Sequence, residues 1–105
     1  MNILFVCSRN QWRSRTAETI FKNNEKHDIR SAGTATDARI KVNEKLINWA
    51  DLIFVMEKRH KLLLQGRFSE ALVAKDIIIL DIEDNYHYMD EDLIETLKTS
   101  VGPYL

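Results

Sequence analysis

The sequence holds a single cysteine, Cys7, in 105 residues. No disulfide can close within the chain, which excludes a small scaffold held by cystine bridges. A cysteine-built zinc site is excluded too, because it needs several thiolates. One proline and three glycines rule out linker-like, collagen-like or low-complexity character. The longest apolar stretches, Ile3 to Cys7 and Leu52 to Met56, fall far short of the roughly 20 residues that span a bilayer. The first residues lack a basic region and Arg9 breaks the apolar run, so no secretory leader is read. A reducing cytoplasm is the expected location, with no membrane partner. Neither sign of charge dominates: 15 Lys and Arg face 16 Asp and Glu. That balance argues against general nucleic-acid binding.

What is present fits one domain over residues 1–105, with 45% hydrophobic residues to build a modest core. Charge is unevenly placed. Arg9, Arg13, Arg15, Lys22, Lys26 and Arg30 crowd the beginning, whereas Asp76 to Leu97 holds eight acids and no Lys or Arg. The plain reading is two solvated surfaces of opposite sign. The sharper one is that the basic beginning holds an anion and a late acid works on it.

Periodicity gives alternating strands and helices. Ile3–Val6, Asp28–Ala32, Leu52–Met56 and Ile77–Leu80 read as strands. Ser14–Asn24 reads as a helix with Ala17, Ile20, Phe21 and Asn24 on one face. Asp37 is the expected cap of a second helix reaching Trp49. Lys58–Gln65 is a third, with Gly66 as its break. Asp90 caps a fourth, carrying Leu93, Ile94, Leu97 and Val101 and closed by Gly102-Pro103. Such a βαβαβαβα order implies an α/β fold: a parallel sheet with helices on both faces. Ligands of such folds bind beyond the carboxyl ends of the strands, where Cys7 and Asp84 both fall.

The segment Cys7-Ser8-Arg9-Asn10-Gln11-Trp12-Arg13-Ser14 joins the first strand to the first helix. A loop of this kind gathers backbone N–H groups at the positive end of a helix, an anion site before any side chain is counted. Arg13 adds a planar fork suited to two phosphate oxygens. Cys7 lies at the base of the loop, in surroundings that favour the reactive thiolate. Ser14 is placed to hydrogen-bond the sulfur. Inorganic phosphate or sulfate is the expected loop ligand.

These residues carry a resemblance. Ile3-Leu4-Phe5-Val6-Cys7, then Asn10, Arg13-Ser14 and Ala17-Glu18, resembles the opening of the low-molecular-weight protein tyrosine phosphatases. Ser31-Ala32-Gly33-Thr34, Ala50-Asp51-Leu52-Ile53 with Met56-Glu57, and Ile82-Glu83-Asp84-Asn85-Tyr86 resemble later segments of that family, in order along almost the whole chain. The resemblance implies a three-layer αβα sandwich with a four-stranded parallel sheet in the order 2-1-3-4. It implies a metal-independent cysteine phosphatase needing no cofactor and acting on a phosphorylated protein or a small phosphomonoester. Cys7 would be the nucleophile, Arg13 the phosphoryl clamp and Asp84 the general acid and base. Ser14 would assist the thiolate. Ser8, Arg9, Asn10, Gln11 and Trp12 would form the cradle, Asn10 bracing it through side-chain to backbone hydrogen bonds. Tyr86 and Tyr88 would line the pocket and stack on an aryl phosphate.

Each role has a plainer rival. Asp84 reads equally as one more surface acid, Tyr86 and Tyr88 as cover for the sheet edge, and Asn10 as a left-handed turn residue. His27, His60 and His87 lack metal-ligand spacing and read as solvated or loosely packed. Trp12 and Trp49 read as packing residues. Arg9 stands where the family usually has Gly; if that position needs positive φ, a side chain there costs about 1 kcal/mol. Trp12 replaces a second loop cysteine, Arg15 stands where Pro is common, and Asn85 replaces the Pro of Asp-Pro-Tyr. The family's longer middle segment, with its aromatic wall, is absent, which predicts a shallower and more open pocket. Two other functions share the fold: a non-catalytic module that binds phosphate or a phosphorylated partner, and an arsenate reductase, whose thiol-cascade form needs cysteines this chain lacks.

Overall fold

The computed structural model describes every residue from Met1 to Leu105. The chain runs β1 (Asn2–Cys7), α1 (Arg13–Phe21), β2 (Asp28–Gly33), α2 (Glu44–Trp49), β3 (Leu52–Val55), α3 (Lys58–Arg67), β4 (Asp76–Ile79) and α4 (Glu91–Val101), closing with a 3-10 turn over Gly102–Tyr104. All strand pairs are parallel and the sheet order is β2-β1-β3-β4.

Strand alternation divides the core between the two faces of the sheet. Ile3, Phe5 and Cys7 share one side with Leu52 and Phe54 of β3, with Ala17 of α1 and with Leu93, Leu97 and Val101 of α4. Leu4 and Val6 share the other with Ile53 and Val55, with Ile47 of α2 and with Leu64 of α3. The central strands are therefore apolar from Ile3 to Cys7 in β1 and throughout β3, while the edge strand β4 is only half-buried. The same alternation puts the Cys7 side chain on the α1 side, directly under the turn that leads into that helix.

Three local expectations give way. Asp37 caps no helix: residues 34–43 run irregularly, and α2 starts late with Asn43 as its cap, accepting from the Leu46 N–H at 2.8 Å. Gly66 does not break α3, which continues to Arg67, because an exposed glycine weakens a helix by only about 1 kcal/mol. Helix α1 ends at Phe21 instead of Asn24. Asp90 does cap α4, accepting from the Asp92 N–H at 2.9 Å.

Gly33 closes β2 where a side chain has no room. A Cβ there would lie 2.4 Å from the Ser8 carbonyl oxygen and 2.7 Å from the Ala38 Cβ. The absence of that one atom lets the turn after β1 settle against the end of β2. Gly33→Ala is expected to destabilise the protein by about 1–3 kcal/mol in denaturant titrations and to displace the Ser8 backbone.

Candidate active site

The turn after β1 is anchored by its carbonyls. The Cys7 carbonyl accepts from Thr34 N–H at 3.0 Å, Ser8 from Ala35 at 2.8 Å and Arg9 from Arg39 at 2.9 Å. The Asn10 carbonyl accepts from Arg39 Nε at 3.1 Å. With its carbonyls drawn outward by residues 34–39, the turn presents its amides to the opposite side. The Asn10 N–H points at Cys7 Sγ, 3.3 Å away. The backbone N–H groups of Ser8, Gln11, Trp12, Arg13 and Ser14 have no protein acceptor, and α1 has no side-chain cap. Unpaired donors gathered at a helix N-terminus form an anion cup.

Asn10 makes the turn possible. It holds φ at 57°, the left-handed region that asparagine tolerates. Arg9 has no such constraint, so the strain expected at Arg9 is absent and the special position lies one residue later. Asn10 is fully buried, and it braces side chains instead of backbone, contrary to expectation. Its Nδ2 donates to Ser14 Oγ and to Ser31 Oγ, each at 2.8 Å. Ser31 Oγ in turn donates a hydrogen bond to Glu18. Ser14 Oγ accepts from Asn10 and lies 2.9 Å from Cys7 Sγ, with the Ala32 carbonyl a long 3.4 Å away; toward a thiolate at Cys7 it is Ser14 that donates. A thiolate at this place meets two donors and no base.

Arg13 is 2% exposed. Its Nη1 donates to Glu57 and, at 2.8 Å, to the Ile82 carbonyl. Its Nε faces Asp84 Oδ1 at 3.6 Å. One nitrogen is thus fixed to the protein while the remaining edge of the fork borders the cleft. Glu57 takes hydrogen bonds from both Arg59 and Arg13, and these overcome its partial burial to hold its pKa at about 2. Asp84 is half-exposed at the cleft mouth.

His60 is fully buried and hydrogen-bonded at both nitrogens, against the expectation of a solvated or loosely packed ring. Its Nδ1 accepts from the Glu57 backbone N–H at 3.1 Å, so the neutral ring carries its proton on Nε2 and donates to Ser8 Oγ at 2.9 Å. Glu57 and His60 form a reciprocal cap on α3. One helix start therefore holds both Arg13 and Ser8. Burial, then the Arg13 and Arg59 charges, lower the His60 pKa from 6.5 to about 4. Between those values the unfolded chain binds a proton that the folded one refuses. Stability is whole above about pH 6.5 and falls by up to about 3 kcal/mol as pH drops toward 4. Urea titrations across that range check this, and His60→Asn is expected to flatten the slope.

The cleft at the carboxyl edge measures about 320 Å³ and is lined by Cys7, Ser8, Arg9, Gln11, Trp12, Arg13, Arg59 and Asp84. Seven of these belong to the sequence-derived set; Arg59 was not foreseen. Asn10 and Ser14 lie behind the sulfur. Tyr86 and Tyr88 do not reach the cleft. Tyr86 packs on the core, and Tyr88 bonds Thr19 at 2.9 Å beneath the Arg15 guanidinium. Trp12 is the one aromatic lining residue, edge-on to His87. No group of three or more His, Cys, Asp or Glu side chains is placed to hold a metal ion. No helix is long and apolar enough to cross a membrane.

A thiol lies beneath free amides at the strand ends of a parallel sheet, a chemistry suited to an oxyanion. The chain has the fold of the low-molecular-weight protein tyrosine phosphatases. It superposes on Wzb of Vibrio vulnificus, solved with benzylphosphonate, with a TM-score of 0.79 and 21% identity over 98% of this chain and 95% of that one. The low-molecular-weight protein tyrosine phosphatase of T. tengcongensis gives 0.73 and 27%, over 97% and 93%. The YwlE arginine phosphatase of Geobacillus stearothermophilus gives 0.72 and 22%, over 98% and 94%. No protein-family model matches the sequence. No curated protein sequence matches it either.

Proposed function

We propose that the protein is a cysteine-dependent phosphatase that hydrolyses phosphomonoesters through a phosphocysteine intermediate. The observation that carries this reading is the run of unpartnered amides around Cys7 Sγ, with Arg13 and Asp84 bordering the same cleft. The amides and the Arg13 fork hold the phosphoryl oxygens, with Ser8, Arg9, Gln11 and Trp12 completing the cradle. The Ser14 hydroxyl and the Asn10 N–H stabilise negative charge on sulfur. Sulfur attacks phosphorus as the P–O bond to the leaving group breaks, and Asp84 gives that oxygen a proton. Asp84 then takes a proton from water as the water oxygen attacks phosphorus and the S–P bond breaks. Inorganic phosphate leaves and the thiolate returns. The neighbours named as tyrosine and arginine phosphatases support phosphoryl transfer. They leave phosphotyrosine as one of several substrates the cleft could serve.

Hydrolysis of p-nitrophenyl phosphate near pH 6 in excess chelator tests the reading. Turnover is expected, with inhibition by vanadate. Asp84→Asn should lower kcat by about a hundredfold, less for substrates with good leaving groups. Phosphate binding without turnover of any phosphoester would instead make the protein a phosphate-binding module.

A further inference from the structure

We infer that the cleft selects a phosphomonoester bearing a second anionic group beside the phosphoryl, an inference that rests on the phosphatase reading above. Three arginines, Arg9, Arg13 and Arg59, line the cleft against one carboxylate, Asp84. Arg13 is committed to Glu57 and to the bound phosphoryl. Arg59 also donates to Glu57, through Nε at 3.1 Å and Nη2 at 3.2 Å. Two guanidinium groups therefore share one carboxylate, so Glu57 neutralises only one of them, and Asp84, 3.6 Å from Arg13 Nε, is the other acid beside the pair. Arg59 is held above its usual pKa first by the Glu57 hydrogen bond, with the charges of Asp84 and Cys7 acting in the same direction. Its head group thus lies within the field of the reacting site.

Arg9 borders the cleft from the loop. Its only ionic partner is Asp37 at 3.7 Å, with both side chains more than 60% exposed. A pair that open is weak and exchanges readily for another anion. The aromatic side is thin by contrast, since Tyr86 and Tyr88 face elsewhere and Trp12 stands alone. The recognition available beyond the phosphoryl is therefore cationic. The second anion could be a carboxylate flanking a phosphorylated residue in a peptide or a second phosphate on a small molecule, and the two sources present the same chemistry to the arginines.

Calorimetry with non-hydrolysable probes separates charge preference from turnover. One arm compares phosphonomethyl-phenylalanine peptides flanked by Glu or by Gln. The other compares a non-hydrolysable alkyl bisphosphonate with its monophosphonate. The more anionic member of at least one pair is expected to bind about tenfold tighter at low salt, with the margin shrinking as salt rises. The arm showing it identifies the source. Arg9→Gln/Arg59→Gln should erase the preference and Arg9→Lys/Arg59→Lys should retain it, with thermal melting confirming that both variants fold. Equal binding within both pairs, or a preference unchanged in the glutamine variant, overturns the inference. Turnover of p-nitrophenyl phosphate is measured alongside. Its absence with the preference intact defeats the phosphatase reading and leaves the charge selection standing.

Discussion

Cys7→Ser yields a folded protein whose hydrolysis of p-nitrophenyl phosphate falls by at least about a thousandfold. The replacement nearly preserves volume at a buried site, so melting temperature should change little. What changes is nucleophilicity. A serine at this place needs a base to take its proton, and beside Sγ stand only the Asn10 N–H and the neutral Ser14 hydroxyl. His60 is turned to Ser8 and cannot serve. The cup itself survives, so phosphate or vanadate still binds. A variant that binds oxyanion and does not turn over separates the roles of sulfur and amides. Equal rates in the two proteins would rule out the sulfur as nucleophile.

Arg13→Ala is expected to abolish turnover and to weaken phosphate binding by at least about a hundredfold, and unlike Cys7→Ser it also damages the fold. Removing the guanidinium leaves the Ile82 carbonyl without its donor and Glu57 with Arg59 as its one cationic partner beside the α3 cap. Breaking a buried pair on one side costs about 2–4 kcal/mol, somewhat tempered by the partial exposure of Glu57. Arg13→Lys should rescue little, because one ammonium cannot bind Glu57, the Ile82 carbonyl and two phosphoryl oxygens together. Equilibrium unfolding of Arg13→Ala, Glu57→Gln and the double variant should show non-additive losses if the pair acts as a unit.

Much of this arrangement is legible before folding. Apolar runs bounded by polar turns mark β1 and β3, because strands covered on both faces have no polar side to show. The position of Cys7 and Arg13 between such a strand and an amphipathic helix marks the cup. Asp84 is legible by its place after the last strand. The middle of the chain is less so. Asp37 carries a cap residue's chemistry, yet residues 34–39 are recruited by the carbonyls of the loop across from them. A helix beginning there would leave those carbonyls unpaired. The directions of the tyrosines are illegible for a related reason: their nearness in sequence to Asp84 says nothing of which way each ring turns. Tyr86 goes to the core and Tyr88 to the outer face of α1.

The chain's own order of residues determined the layered architecture, the anion cup and the thiol at its floor, because each depends on neighbours within a few positions. Folding alone decided what surrounds them. Glu57 and His60 lie some 50 positions beyond the loop, and only the parallel pairing of β3 beside β1 carries the start of α3 to Arg13 and Ser8. The second layer of charge, from Arg59 to the buried neutral imidazole, follows from that juxtaposition and from the burial it imposes. Burial and distance set the strength of every charge in the cleft, and neither is written in local sequence.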